Sequence, residues 1–279
     1  PHRDDKVVAG WNGLMVAGLS VAARAFQESD YLVAARNTAD FLLHHLRTEG
    51  RLMRYRRGTT QPVKGFADDY AFLIWGLIEL YESSFDPNYL ALSKELCVEM
   101  LDLFWNEEAG ALQYNGRDAE NLIAASIDAF DGALPSANSV AAWDLLRLGR
   151  LLGDDELAER GRTIIDAFAG QISPDPLGYP QMLLALDYNR QPARRIVLTG
   201  QRSASGTRQM MDTLQTQFLP ETSYLFRPDD SDPDAAELIR VLPALRGLRN
   251  DEPTAHITEG HEAVQQVEDP AQLRDILET

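Results

Sequence analysis

Alternation of short and long links between amphipathic helices constrains this chain more than any other feature. From Val8 to Phe26, apolar residues recur at three- and four-residue spacing (Trp11, Met15, Leu19, Ala22, Ala23, Phe26), the period of an amphipathic helix. The short turn Gln27-Glu28-Ser29-Asp30 leads to a second helix, from Tyr31 to Leu46. The pattern then repeats. Helices from Phe66 to Tyr81 and from Tyr89 to Phe104 meet at Asp86-Pro87, helices over 136–152 and 155–170 meet at Gly153-Asp154, and a shorter helix covers 178–188. Between the pairs lie the long loops 49–64 and 106–134. The period of roughly 60 residues is too long for the common helical repeats of about 34. Antiparallel hairpins with such alternating links suit a partial α/α toroid, whose inner helices all begin on one rim; an α-solenoid is the competing arrangement. Six or seven helices make only part of a full ring, and the others are expected to precede Pro1, which also suggests a fragment or processed piece.

A change of pattern near residue 190 predicts a second unit, giving a toroid portion over 1–190 and a small α/β tail over 191–279. Arg194 to Gly200 is a β-branched run that ends at a glycine, as a buried strand does. A helix from Thr207 to Phe218, with Thr207 as cap, is expected next, followed by strands at Ser223–Phe226 and Thr254–Thr258. Asp269 followed by Pro270 marks the start of a last helix, because an acidic cap and a proline at the first helical position satisfy or remove unpaired N–H groups.

Three junctions concentrate polar, glycine and aromatic residues at the start of the first helix of each pair: Val8 to Met15, Gly65 to Tyr70, and Asp131 to Ser139. On a toroid they share one rim and outline a site. Asp68 and Asp69 are its catalytic candidates, since adjacent carboxylates in different surroundings can separate in pKa for acid/base work on a sugar. Equally open is a structural role, one carboxylate capping the helix and the other offsetting its dipole. Neighbours on a helix diverge by about 100°, so an opposed partner must come from elsewhere, with Asp128 and Asp131 as candidates. Trp11, Asn12, Tyr70, Asp131, Ser136 and Asn138 are the candidate substrate-binding residues. Flat aromatic faces suit a pyranose, although core packing is the commoner fate of helical aromatics; for Trp75 and Trp143, core packing is the preferred reading. Ser136 is also a candidate helix cap.

Composition excludes several classes. Forty-three acidic against 26 basic residues give a net charge of −17, which argues against a nucleic-acid partner. No apolar run reaches the roughly 20 residues of a membrane-spanning helix, so no membrane partner is expected. Only three of the basic residues are lysines (Lys6, Lys64, Lys94); adaptation to high salt and a genome rich in arginine codons both account for this. The single cysteine, Cys97, fits a reducing, cytoplasmic compartment and reads as a buried small hydrophobe. No cofactor or metal is expected. The segment from Gly200 to Thr207 lacks the Walker lysine and the G-x-G-x-x-G pattern, and His256 and His261 have no cysteine partner for a zinc site.

The strings Asp4-Asp5-Lys6-Val7 with Trp11-Asn12-Gly13-Leu14-Met15, Gly65-Phe66-Ala67-Asp68-Asp69-Tyr70-Ala71-Phe72, and Asp131-Gly132 with Pro135-Ser136-Ala137-Asn138-Ser139 resemble the spermatogenesis-associated-protein-20-like family of thioredoxin-domain-containing proteins. The resemblance is specific to about residue 200 and looser beyond. It implies an N-terminal thioredoxin-like domain in the parent chain, a six-hairpin-glycosidase-like toroid of which this chain is the second half, and a small α/β tail. The tail departs from the family pattern: a cysteine pair often found near the last strands is replaced by Ala255 to Glu262. Implied functions are carbohydrate binding or processing at the helix-start rim or, alternatively, a non-catalytic module that docks the thioredoxin-like domain or a peptide. Epimerisation is a weaker third reading, because His44 and His45 fall at the far end of an outer helix.

Overall fold

The computed structural model describes residues 5–57, 62–119, 126–248, 252–260 and 264–278; Asp4 and His261 lie outside them. After a short strand β1 (Val7–Val8), three helical hairpins follow: α1 (Ala9–Phe26) with α2 (Ser29–His45), α3 (Ala67–Ser84) with α4 (Pro87–Phe104), and α5 (Ala137–Leu152) with α6 (Asp155–Ile172). A single helix, α7 (Pro180–Arg190), packs on α5. The layers form an arc, with α1, α3, α5 and α7 inside and α2, α4 and α6 outside.

Each hairpin closes by one device. Gln27, Phe85 and Gly153 take left-handed backbone angles (φ 56°, 52° and 66°), each stopping its helix two residues before the next begins. A left-handed residue is the usual way to end a helix. Glycine adopts it without strain, whereas Gln27 and Phe85 do so at some cost; Phe85 is held there by full burial of its ring.

The inner layer is unusually close-packed at one point. A Cβ added to Gly13 would lie 2.7 Å from the Leu73 nitrogen, and one added to Gly76 would lie 2.6 Å from the Gly13 oxygen. Backbones of α1 and α3 therefore touch through two glycines. The face of α1 turned to α3 is made of small residues, with Gly10, Gly13, Ala17 and Ser20 buried beside Val16. The larger stripe faces outward, leaving Trp11, Met15 and Phe26 59%, 56% and 68% exposed. Hydropathy alone selects that large stripe as the core face, but close approach to α3 requires the small one.

The long loops are more ordered than expected. Residues 47–64 contain β2 (Arg47–Thr48), β3 (Arg51–Arg56) and β4 (Val63–Lys64), with β3 also pairing antiparallel to β1. The next loop starts with a hairpin of β5 (Trp105–Asn106) and β6 (Ala111–Leu112).

The tail contains β7 (Arg194–Gly200), α8 (Ser205–Thr216), β8 (Thr222–Pro228), α9 (Asp234–Val241), β9 (Thr254–Glu259), β10 (Gln265–Val267) and α10 (Pro270–Leu277). Its sheet runs β10-β9-β7-β8, with β7 and β8 parallel and the other pairs antiparallel. Helix α8 is capped at Ala204 rather than Thr207, which is fully buried one turn inside. The sheet rests on the ends of the inner helices. Phe85 meets Tyr224 and Phe226 edge-on, and Gln215 Nε2 donates to the Glu82 and Ser83 carbonyls at the end of α3. Cys97 is fully buried, and burial raises its thiol pKa well above the usual range.

Candidate functional site

All three junctions meet at the start rim of the inner helices, where their side chains divide into two groups. One group holds the rim together. Asp69 is 1% exposed and accepts from Gly10 N–H at the start of α1, from Phe66 N–H at the start of α3, and from Arg54 on β3, each at 3.0 Å. It thus pins two inner helices and a strand to one carboxylate. Burial, then the nearby charge of Asp68, raises its pKa to about 6. Asn138 is likewise committed. It accepts from Leu112 N–H and donates to the Leu112 and Asp128 carbonyls, binding the long loop to α5. Asp131 accepts from Ser136, Gln181 and Met182 N–H groups, so its carboxylate caps α7 and is not available to a ligand. Asn12 donates back to the Val8 carbonyl.

Tyr70 cannot be a stacking platform. Its ring is fully buried, and its hydroxyl donates to Glu99 while accepting from Arg51 and Leu52 N–H. Trp11 is exposed but lies outside the rim cavity. Trp75 and Trp143 pack against the core. On outer helix α2, His44 Nδ1–H donates to the Asp40 carbonyl, and the residue does not line the rim cavity.

The other group lines a cavity of about 390 Å³. Asp68 on α3, Tyr114 and Asp128 on the long loop, and Ser136, the cap of α5, all face it. Asp68 is bridged to Arg54 at 3.1 Å and receives the Tyr114 hydroxyl at 3.3 Å. Burial, then the Asp68 charge, raises the Tyr114 pKa to about 12, so Tyr114 stays a donor. Burial alone would lower the pKa of Arg54, but the charges of Asp69 and Asp68 outweigh it and raise it. The cavity therefore presents two carboxylates from different elements, a phenol and a hydroxyl. Such a set can orient a polyhydroxylated ligand and exchange a proton with it.

Arg54 and Tyr114 are missed by motif reading because each stands alone in a long loop; only tertiary structure brings them to Asp68. A second group, also unforeseen, sits at the opposite ends of the inner helices. Arg147 bridges Glu79 at 2.6 Å and Glu82 at 2.9 Å, and Arg24 bridges Glu79 at 2.5 Å, beside a cavity of about 270 Å³ roofed by residues 215–222. Burial would raise the Glu79 pKa, but Arg147 and Arg24 bring it down to about 2. The three-residue spacing of Glu79 and Glu82 within an apolar helix was the available signal. Among the described residues, no group of three or more His, Cys, Asp or Glu could hold a metal ion, and no helix is long and apolar enough to cross a membrane.

Layered hairpins with a polar cavity at the helix-start rim define a partial α/α toroid, a six-hairpin-glycosidase-like fold. Solved structures share that fold. A cellobiose 2-epimerase from Bacillus thermoamylovorans matches 95% of this chain and 67% of its own, at TM-score 0.53 and 14% identity. A GH76 α-mannanase from Bacteroides thetaiotaomicron matches 61% of this chain and 46% of its own, at TM-score 0.52 and 15% identity. No family model matches the chain. Its sequence is 34% identical over 99% of its length to spermatogenesis-associated protein 20 of Homo sapiens, and equally so to that of Rattus norvegicus. The chain is homologous to these proteins along its length and spans 36% of theirs.

Proposed function

We propose that the rim cavity binds a carbohydrate of one or two sugar units and that Asp68 acts on it as general acid or base. The observation that carries this reading is the cavity itself. Asp68 and Asp128 reach it from separate elements, while Asp69 and Asp131, the other carboxylates considered, are consumed by backbone N–H groups. Its volume falls in the range of small-molecule sites, about 300–1,000 Å³. The fold shared with a mannanase and with epimerases adds support by analogy only. Asp128 is the opposed carboxylate, and Tyr114 holds Asp68 in place through its hydroxyl. A cytoplasmic location belongs to the same proposal, supported by a lone buried thiol.

Calorimetric titration with a panel of mono- and disaccharides, on this chain and on the full-length parent, tests it. Binding by the parent that is lost in Asp68→Asn, with the fold intact, is expected; no binding by the parent removes the reading. Binding without turnover would favour a second reading, a non-catalytic module that docks a peptide or the thioredoxin-like domain of its parent chain. The observation behind that alternative is the exposed apolar stripe Trp11, Met15 and Phe26 on α1.

A further inference from the structure

A third cavity, of about 400 Å³, opens where the toroid meets the tail, between the end of α5, the start of α6, the end of α7 and the first residues of β7. Four arginines line it: Arg150, Arg162, Arg194 and Arg195. Asp155 is the one carboxylate among its lining residues. In a chain with 17 more acidic than basic residues, four arginines against one carboxylate in a single cavity is unexpected from composition.

The pairing of these arginines sharpens the contrast. Arg24 and Arg147, at the neighbouring cavity, are each matched to buried glutamates. By contrast, among the described residues Arg150 donates only to main-chain oxygens, those of Tyr188, Gln191 and Glu221. Arg195 donates to the Leu151 carbonyl, and its Nε is buried without a partner among the described residues. Burial lowers the pKa of Arg195, and no carboxylate offsets that. Among the described residues Arg162 pairs only with Glu159, at 2.8 Å on the helix surface, an exposed contact worth little. Arg194 forms part of the wall while its guanidinium reaches the Ile276 carbonyl, as expected for alternate residues on opposite faces of a strand. Three guanidiniums thus border one cavity with spare donors; among the described residues Arg150 and Arg195 have no partner of opposite charge, and Arg162 has only the exposed Glu159. Planar guanidinium forks match tetrahedral oxyanions closely.

We infer that Arg150, Arg162 and Arg195 form a binding site for a phosphate group, either free or carried by a small molecule, separate from the helix-start rim. The site uses side chains of both the toroid and the tail, so occupancy ties the two together. Its ligand replaces the missing countercharge of Arg195.

The test is calorimetric titration of the chain at constant ionic strength with inorganic phosphate, with glucose 6-phosphate and with glucose. Phosphate binding without glucose binding at this site is expected. Tighter binding of glucose 6-phosphate than of phosphate identifies a phosphorylated small molecule as the ligand; equal binding identifies free phosphate. Arg195→Met should weaken either ligand at least about tenfold, while the phosphate-free variant melts no lower than the parent, because an unopposed buried charge has been removed. If Arg195 served only to cap α5 through Leu151, the variant would melt lower and bind phosphate unchanged. Arg162→Gln, at a surface position that the fold does not require, should weaken phosphate severalfold. Absence of binding at millimolar phosphate, or affinity unchanged in both variants, overturns the proposal.

Discussion

Replacing Asp69 by alanine should destabilise the protein more than any other change at the rim. Its carboxylate accepts from Gly10 N–H and Phe66 N–H, and the site is 1% exposed. Truncation strands both donors away from water, at about 1–3 kcal/mol each. Arg54 loses one partner but keeps Asp68, so its share is small. The expected loss is about 4 kcal/mol, a large part of a typical total of about 5–15. Asp68→Asn should cost less than about 1 kcal/mol, because Asp68 is partly exposed and Arg54 retains Asp69. Urea unfolding of both variants measures the difference. The pKa of Asp69, raised to about 6, adds a pH signature. The folded form binds this proton more tightly than the unfolded chain does. The resulting stability is therefore present below about pH 4 and lost as pH rises through 6, by about 3 kcal/mol. The stability gap between the parent and Asp69→Asn should shift by that amount across the window. Asp69→Ala within about 1 kcal/mol of the parent, or a gap that is flat with pH, would refute the assignment of Asp69 as the pin of the rim.

Gly13→Ala places a methyl 2.7 Å from the α3 backbone and should cost about 1–3 kcal/mol, read by thermal melting; an unchanged melting temperature would mean that α1 and α3 do not meet there. The stripe of Trp11, Met15 and Phe26, 56–68% exposed, should drive self-association of this chain, and a clean monomer by light scattering would contradict that. Salt adaptation predicts stability that holds or rises from low to molar KCl; a steady decline would leave codon usage as the source of the arginine excess.

The helices and their pairing were legible because each depends on local chemistry. Apolar spacing marked all seven toroid helices, and Asp269-Pro270 marked the start of α10. Helix α9 and strand β10 escaped notice, being short and polar, with only Ala235, Leu238, Val241 and Val267 buried. At the site, the three junctions did gather on one rim, yet the division of labour inside it was hidden. Asp68 and Asp69 are adjacent and chemically identical; a turn of about 100° on α3 sends one into the cavity and the other into a cage of N–H donors.

Periodicity, turn residues and caps are properties of a few consecutive residues, and they determine the elements and the alternation that makes them hairpins. Tertiary packing decides which face of α1 is buried, because close approach of two backbones favours glycine over the larger apolar side chains. It also decides which carboxylate is free, and it brings Arg54 and Tyr114 to Asp68 and Arg195 to the Leu151 carbonyl. Those contacts join residues tens of positions apart, where no local pattern reaches.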